Sequence, residues 1–432
     1  MRGLLRQECG DTVNAINDFT EAMAIDPIPY ISDFKESRNV KWHPFFRYLS
    51  PDISSADFKV SSLFNTGHQE EALALQYHLI ENEKDQTRLP GRYAKCMDMF
   101  YVSGDTASML NALKLGLLCA SDEEQYSAVA SSVQDNMVDI CLPVFADAMK
   151  EKPGDWILAV FYNAALLNSG RYSDALVALD KAIRSHPDHE ESFLLLKVMA
   201  YQKSKDFEKA LAFIDQTIEK YPDLTDRMLS EKVNVLKQSG DNENLSKVYG
   251  ILIERSEKDQ ENSAYTYINT LFAKATLLRR MGNPEEAVKY YDLLIDFCDG
   301  ASSALSGKAD ALMECGKNDE AKQLYRRILE IETDTVSESF RPYALQGLGR
   351  ADEAIEFLNK LIETDPSYTN YFYLACLYGR MADAVNASAI LRRIIELFPG
   401  ELSGETINDE IDFDPVRKNP EFEDLMNSLG IE

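Results

Sequence analysis

The sequence predicts an all-α fold, a superhelical solenoid of stacked helix hairpins. Three observations favour it: a pattern that recurs with a period near ~34 residues, a hydrophobic fraction of 45%, and only 20 Gly and 15 Pro in 432 residues. Disordered and collagen-like chains carry far more Gly and Pro, so this chain should fold. In such an array each unit contacts only its neighbours.

The repeated pattern is Gly, then Ala, a bulky residue and a small or aliphatic residue, often followed by Pro. Gly ends the first helix in a left-handed turn, and the small Ala lets the second helix approach closely. The bulky residues share one helix face, and Pro marks the boundary with the next unit. The clearest copies are Gly10, Ala15, Phe19, Ala22 and Pro27; Gly170, Ala175, Leu179, Ala182 and Pro187; Gly282, Ala287, Tyr291 and Leu294; Gly316, Ala321, Tyr325 and Ile328; and Gly349, Ala354, Leu358, Leu361 and Pro366.

Weaker copies fill most of the remaining chain, giving about eleven units. Lys205 and Ala382 stand at the turn position that Gly occupies elsewhere. The least regular copy starts at Asn136, because Pro143 falls where its second helix should already run. The other weak copies start at Gly67, Gly104 and Gly240.

Two stretches interrupt the regular spacing. The gap between Gly240 and Gly282 predicts either longer helices or a loop near residues 257–262. Residues 333–341 are predicted to form a loop, with Pro342 at the start of the next helix.

The copies resemble tetratricopeptide repeats, a family of stacked antiparallel helix pairs that bind partners along a concave groove. The resemblance implies five segments: a truncated first unit at 1–27, an irregular aromatic insertion at 28–52, degenerate units at 53–153, a regular array at 154–399 and a capping segment at 400–432. The aromatic residues of the insertion either form a partner site or pack on neighbouring units.

The end of the chain is similar to a closing block of many bacterial proteins of this family. Residues 412–417 and 419–422 carry that similarity. Asp414 and Asn419 are predicted helix caps, since each precedes a Pro at a first helical position. The block should cover the apolar end of the last unit.

Composition disfavours several classes of function. The formal net charge of −27 disfavours nucleic-acid binding, which depends on Lys and Arg displacing counterions. We expect no membrane span, since residues 156–167 form the longest nearly apolar run and a span needs ~20 residues. Seven scattered Cys predict reduced thiols rather than a disulfide framework.

No motif for catalysis or for a cofactor is present. The sequence from His189 begins like a zinc-protease helix but has no second His four residues later. Phosphate-loop and nucleophile-elbow motifs do not occur. We therefore predict neither an enzyme nor a metal or cofactor site, and an enzyme with a non-obvious site is the remaining alternative.

The resemblance places partner contacts on the first helix of each unit. Counting back from each turn assigns to this inner face Ile157, Val160, Ala164 and Leu167; Leu195, Met199 and Lys203; Arg227, Asn234 and Lys237; and Phe272, Thr276, Arg279 and Arg280. The last three groups contain five cations and no carboxylate. A positive region beside an apolar floor suits an acidic peptide with a hydrophobic anchor. Alternatively, the long side chains merely lie along helix surfaces.

These features predict a protein-interaction scaffold or adaptor, cytoplasmic and of unknown oligomeric state. Met1 falls partway into the first predicted helix, so we expect the start of the first unit to be cut off. The alternative is therefore a regulatory or sensor arm of a larger signalling or envelope protein whose N-terminal part is missing.

Overall fold

The computed structural model describes residues 55–258, 260–298, 300–331 and 335–429, and every regular element in these ranges is helical. The predicted all-α architecture is thus confirmed for the described chain. The segments predicted at 1–27 and 28–52 lie outside the described residues. The chain divides into two compact units, unit 1 up to Phe213 and unit 2 from Ile214.

Unit 1 is a series of helix hairpins joined by short turns. Its helices are α1 (Ser55–Asn65), α2 (Gln69–Glu81), α3 (Leu89–Ser103), α4 (Thr106–Cys119), α5 (Glu123–Ser131), α6 (Val138–Glu151), α7 (Trp156–Asn168), α8 (Tyr172–Ser185) and α9 (Glu190–Lys203). The division between the units falls within α10 (Phe207–Lys220).

Unit 2 continues with five hairpins, whose first helices are α11, α13, α15, α17 and α19. Its helices are α11 (Thr225–Ser239), α12 (Asn242–Lys258), α13 (Gln260–Arg280), α14 (Pro284–Phe297), α15 (Ser302–Glu314), α16 (Asn318–Glu330), α17 (Thr335–Gly347), α18 (Ala351–Thr364), α19 (Tyr368–Arg380), α20 (Ala384–Leu397), α21 (Gly404–Asp409) and α22 (Pro420–Ser428).

The turn between α13 and α14 shows how the repeated pattern forms a hairpin. Gly282 has φ 75°, and the next amide, of Asn283, donates to the carbonyl of Leu278 at 2.9 Å. This closes the end of α13 in a left-handed turn that a side chain would disfavour. Ala287 and Tyr291 then lie fully buried on α14. The repeated pattern therefore specifies both the turn, at Gly282, and the buried core, at Ala287 and Tyr291.

Lys205 and Ala382 adopt the turn conformation that their places in the pattern predict. Both have φ 57°, the only positive values outside Gly among the described residues. A Cβ in this region costs about 1–2 kcal/mol. The hairpin therefore imposes the turn even where the residue disfavours it.

Two prolines that disturb the repeated pattern lie inside helices. Pro143 lies inside α6, so the second helix of the copy at Asn136 runs through it. Pro342 lies inside α17, which already begins at Thr335, and not at a helix start. The predicted loop at 333–341 is thus wrong for its described part. In both helices the burial of apolar residues on neighbouring elements outweighs the hydrogen bond that Pro removes. The described residues near 257–262 lie in α12 and α13, which span 17 and 21 residues, in agreement with the alternative of longer helices.

Successive hairpins of unit 2 interlock through Gly–Tyr contacts. A Cβ on Gly307 of α15 would overlap the ring of Tyr291 on α14, and one on Gly347 of α17 would overlap Tyr325 on α16. The absent side chains therefore make room for the two rings, which are buried. Close packing of this kind fixes the register of neighbouring hairpins.

The residues after α20 pack on the last hairpin. Phe413, Val416 and Phe422 are buried in one cluster with side chains of α19 and α20. Asn419 caps α22 as predicted, accepting the amide of Glu421 at 3.0 Å. The cap predicted at Asp414 is wrong, because residues 414–418 form turns.

Candidate functional site

The inner-face residues predicted for unit 1 are mainly apolar and differ in exposure. Ile157, Val160 and Leu195 are half-buried, and Met199 is 39% exposed. Leu167 is only 2% exposed and belongs to the core formed with α8. Leu167 is therefore unavailable to a partner in this conformation. Of the other two residues predicted for this face, Ala164 is half-buried and Lys203 is exposed.

The inner-face residues predicted for unit 2 include its cations. Arg227 and Asn234 are exposed on α11, and Phe272 on α13 is 38% exposed. Thr276 lies one turn after Phe272, with its hydroxyl 3.5 Å from that of Tyr291. Lys237, Arg279 and Arg280 all bond to carboxylates, and the partner-binding role of the whole set stays a prediction.

Two of these cations meet a segment after α20. We call residues 404–417 the strap; it contains α21 and a short 3₁₀ turn. Lys237 Nζ lies 2.6 Å from Asp409 Oδ2. The Arg280 guanidinium donates to Asp414 Oδ2 at 2.9 Å and to the carbonyl of Asn408 at 3.2 Å. The sequence predicts an inner face without carboxylates, but the strap places its own carboxylates against that face.

Beside the strap lies a buried ion network. Arg380 on α19 binds both carboxylate oxygens of Asp310 on α15, at 2.7 and 2.8 Å. The hydroxyl of Tyr325 donates to the same carboxylate at 2.5 Å. Arg279 lies 3.6 Å from Asp310 and donates to Glu314 at 2.7 Å. Burial tends to raise the pKa of Asp310, but Arg380 and Arg279 outweigh it and hold this pKa below its ordinary value.

The strap extends this network through Asp412, which accepts from Arg380 at 3.1 Å. Burial raises the pKa of Asp412 to about 7, opposed by Arg380 and reinforced by Glu410 and Asp310. Burial likewise raises the pKa of Glu410. The buried carboxylates of Asp310, Glu410 and Asp412 therefore outnumber the two buried guanidinium groups, of Arg279 and Arg380.

Arg417 gives the strap its shape. Its guanidinium donates to Asp414 at 2.7 Å and to the carbonyls of Ile407, Asn408 and Glu410 at 3.0, 2.8 and 3.1 Å. Five donors on one planar group suit this role. The strap is thus held in a loop that aims its carboxylates at the first helices.

Sequence reasoning found the cations but missed their partners. Asp310 stands among Ala, Leu and Ser residues that are buried on α15, and a charge at such a position must be paired. Arg380 directly precedes the turn of its hairpin, the position Arg280 holds in α13, and the same count back would have included it. The strap carboxylates carry no such local signal.

Among the described residues no group of three or more His, Cys, Asp and Glu side chains could hold a metal ion. None of the described helices combines the length and apolar character needed to cross a bilayer. The six described cysteines are free thiols.

The fold and these contacts define an all-α repeat protein of stacked hairpins. Residues 166–230, 272–334 and 343–368 match tetratricopeptide repeat models. The chain carries tetratricopeptide repeats in these three regions, and such repeats suggest a protein-interaction scaffold. No curated protein sequence matches it.

Several solved structures are similar to the chain at low identity. A tetratricopeptide repeat protein from Parabacteroides merdae is 14% identical, with a TM-score of 0.38, covering 60% of this chain and 98% of its own. Naa15/Naa10 bound to HypK-THB is 15% identical, with a TM-score of 0.35, covering 99% of this chain and 67% of its own. The human IFIT1 dimer with m7Gppp-AAAA is 12% identical, with a TM-score of 0.26, covering 79% and 89%.

Proposed function

We propose that the chain is a scaffold whose unit 2 binds an acidic protein segment on the face of its first helices. The observation that carries this is the strap itself. It is a stretch outside the hairpins whose Asp409 and Asp414 meet Lys237 and Arg280 at hydrogen-bond distance. A face that orders one acidic segment has the chemistry to bind another.

An apolar anchor point lies on the same helix face. Phe272 and Arg280 are eight residues apart on α13, which places them on one side two turns from each other. Phe272 is part-exposed and contacts Tyr291 edge to face, with ring centroids 5.8 Å apart. An aromatic ring that is fixed in position on the same helix side as a cation suits a partner segment with both acidic and apolar residues.

Unit 1 offers a separate surface of different character. The half-exposed Ile157, Val160, Leu195 and Met199 form its apolar part, with the exposed Lys203 nearby. We assign this surface to apolar partner contacts, independent of the acidic segment bound by unit 2.

The proposal is tested with charge reversals that spare the buried network. Lys237→Glu and Arg280→Glu are combined, while Arg279 is left intact because its side chain is 9% exposed and faces Asp310. The probe is a fluorescein-labelled decapeptide of alternating Asp and Ser with one central Phe. We expect a dissociation constant at least tenfold higher for the double variant, measured by fluorescence anisotropy.

The matched control reverses two lysines on second helices, Lys247→Glu on α12 and Lys360→Glu on α18. Both are exposed and paired with a carboxylate of their own helix. The control should bind the probe like the parent chain. Equal loss in both pairs of variants would attribute binding to net charge and refute the assignment to this face.

A further inference from the structure

The strap has two parts that are held differently. Ile407, Phe413 and Val416 are almost fully buried in the cluster of the last hairpin. By contrast, Asp409 is 51% exposed and its partner Lys237 33%. Buried aromatic and aliphatic side chains hold strongly, whereas exposed ion pairs hold weakly. The polar edge of the strap can therefore open while its apolar anchor stays in place.

We propose that the strap is a resident ligand of this face, and that an acidic partner segment binds by displacing its edge at Asp409 and Asp414. The inference rests on the proposed function and adds its regulation. The carboxylates of the strap occupy this face until an acidic partner displaces them. Such a partner carries more carboxylates than the strap or a better apolar anchor.

Competition follows from the geometry of Arg280. Its Nε bonds to Asp414, and its Nη2 bonds to Asp414 and to the carbonyl of Asn408. These two nitrogens form the edge that receives a carboxylate side-on. An incoming carboxylate can take this position only when Asp414 leaves it.

The strap packs so closely on α19 that a partner segment cannot bind there at the same time. A Cβ on Gly379 would lie 2.6 Å from the carbonyl oxygen of Asp412. Backbone is thus packed directly on the helix at this point. A partner segment reaching Arg380 would have to move the strap.

The test compares the full chain with the variant Asp409→Asn/Asp414→Asn, using the same labelled Asp–Ser decapeptide. Removing the strap's two partly exposed ion pairs, with Lys237 and Arg280, each of modest strength, should tighten probe binding roughly two- to twentyfold. The control, Glu243→Gln/Glu356→Gln, removes carboxylates that pair with Lys247 and Lys360 on second helices. It should leave the dissociation constant unchanged.

Hydrogen exchange gives an independent measurement of the strap. On adding saturating probe to the parent chain, the amides of Gly404–Asp409 should exchange faster, since their contacts to α11 and α13 are lost. Unchanged exchange together with equal affinity of parent and Asn variant overturns the displacement proposal but leaves the proposed function standing. Absence of probe binding in all variants overturns both.

Discussion

At the scale of single residues, the turn of each hairpin depends on a left-handed backbone more than on a particular side chain. The sequence pattern placed Lys205 and Ala382 at this turn although neither is Gly, and both have φ 57°. The position in the repeat could be predicted because it is a local signal. The local sequence pattern does not reveal the strain that a Cβ adds in this left-handed conformation.

Ala382→Gly should therefore stabilise unit 2. Relief of the left-handed Cβ gains about 1–2 kcal/mol, while the added freedom of Gly in the unfolded chain costs about 0.4–1 kcal/mol. We expect a net gain of roughly 0.5–1 kcal/mol in the free energy of unfolding, read from urea denaturation. Gly282→Ala, at φ 75°, should lose a similar amount. A destabilised Ala382→Gly would contradict the account of this turn.

Asp310 is the residue on which the buried network depends. It pairs with Arg380 and Arg279 at once, so Asp310→Asn removes their shared partner and leaves Arg380 with Asp412 and Arg279 with Glu314. The expected cost is about 1.5–3 kcal/mol in the free energy of unfolding, the range for hydrogen bonds to charged groups, measured by urea denaturation. Asp292→Asn serves as the control, because Asp292 pairs with Lys308 near the surface and should cost less than about 1 kcal/mol. Similar costs for the two variants would show that the network is unimportant.

The pH dependence of stability should follow Asp412. Its pKa of about 7 in the folded chain lies above the ordinary value of about 3.9, so the folded state holds a proton that the unfolded state loses. Its contribution to stability is full below about pH 4 and is lost as the pH rises through 7. The groups facing it are Arg380, Arg279, Glu410 and Asp310; the raised pKa of Glu410 acts in the same direction, and the lowered pKa of Asp310 matters only in more acidic solution.

Asp412→Asn should therefore reduce the rise in stability between pH 8 and pH 5. The measurement is the free energy of unfolding of parent and variant at one-unit steps across that range. The difference in slope can reach about 1.4 kcal/mol per pH unit for one proton. Parallel curves would mean that Asp412 does not titrate in this window.

At the scale of helices, the regular hairpins were predictable because each one carries its own turn, its own buried positions and its own boundary. Ala287, Tyr291, Ala321 and Tyr325 are all buried as the pattern requires. The helices that contain Pro were harder to place, because there the packing of neighbouring helices decides against the local signal.

Local stability should differ between hairpins. The pair α5 and α6 combines a helix of only nine residues with Pro143 inside its partner, while α13 to α16 interlock through buried tyrosines. We expect faster amide hydrogen exchange in α5 and α6 than in α13 to α16. Exchange that is slowest in α5 and α6 would contradict this expectation. The predicted early opening of 28–52 concerns residues outside the described ones.

At the scale of the whole molecule, the site depends on contacts that sequence spacing does not reveal. Lys237 and Asp409 are 172 residues apart in the chain, and Arg280 and Asp414 are 134 apart. Counting back from the turns located the two cations, since their positions repeat with the hairpins. Their carboxylate partners lie after the last hairpin, where the repeat no longer predicts which face a residue meets.

The overall charge of −27 opposes approach of an acidic segment, so the proposed binding requires the local cations of unit 2. Long-range repulsion is screened within a Debye length of about 8 Å at physiological salt. The contacts at Lys237 and Arg280 act at shorter range. An acidic partner is therefore compatible with an acidic chain only where such cations are grouped.

A crystal structure of the chain with the Asp–Ser decapeptide bound tests the central claim most directly. The account predicts peptide carboxylates within about 3 Å of Lys237 Nζ and the Arg280 guanidinium, with Asp409 and Asp414 moved away and Phe413 still buried. Electron density for the peptide elsewhere, with both cations still bonded to the strap, would contradict it.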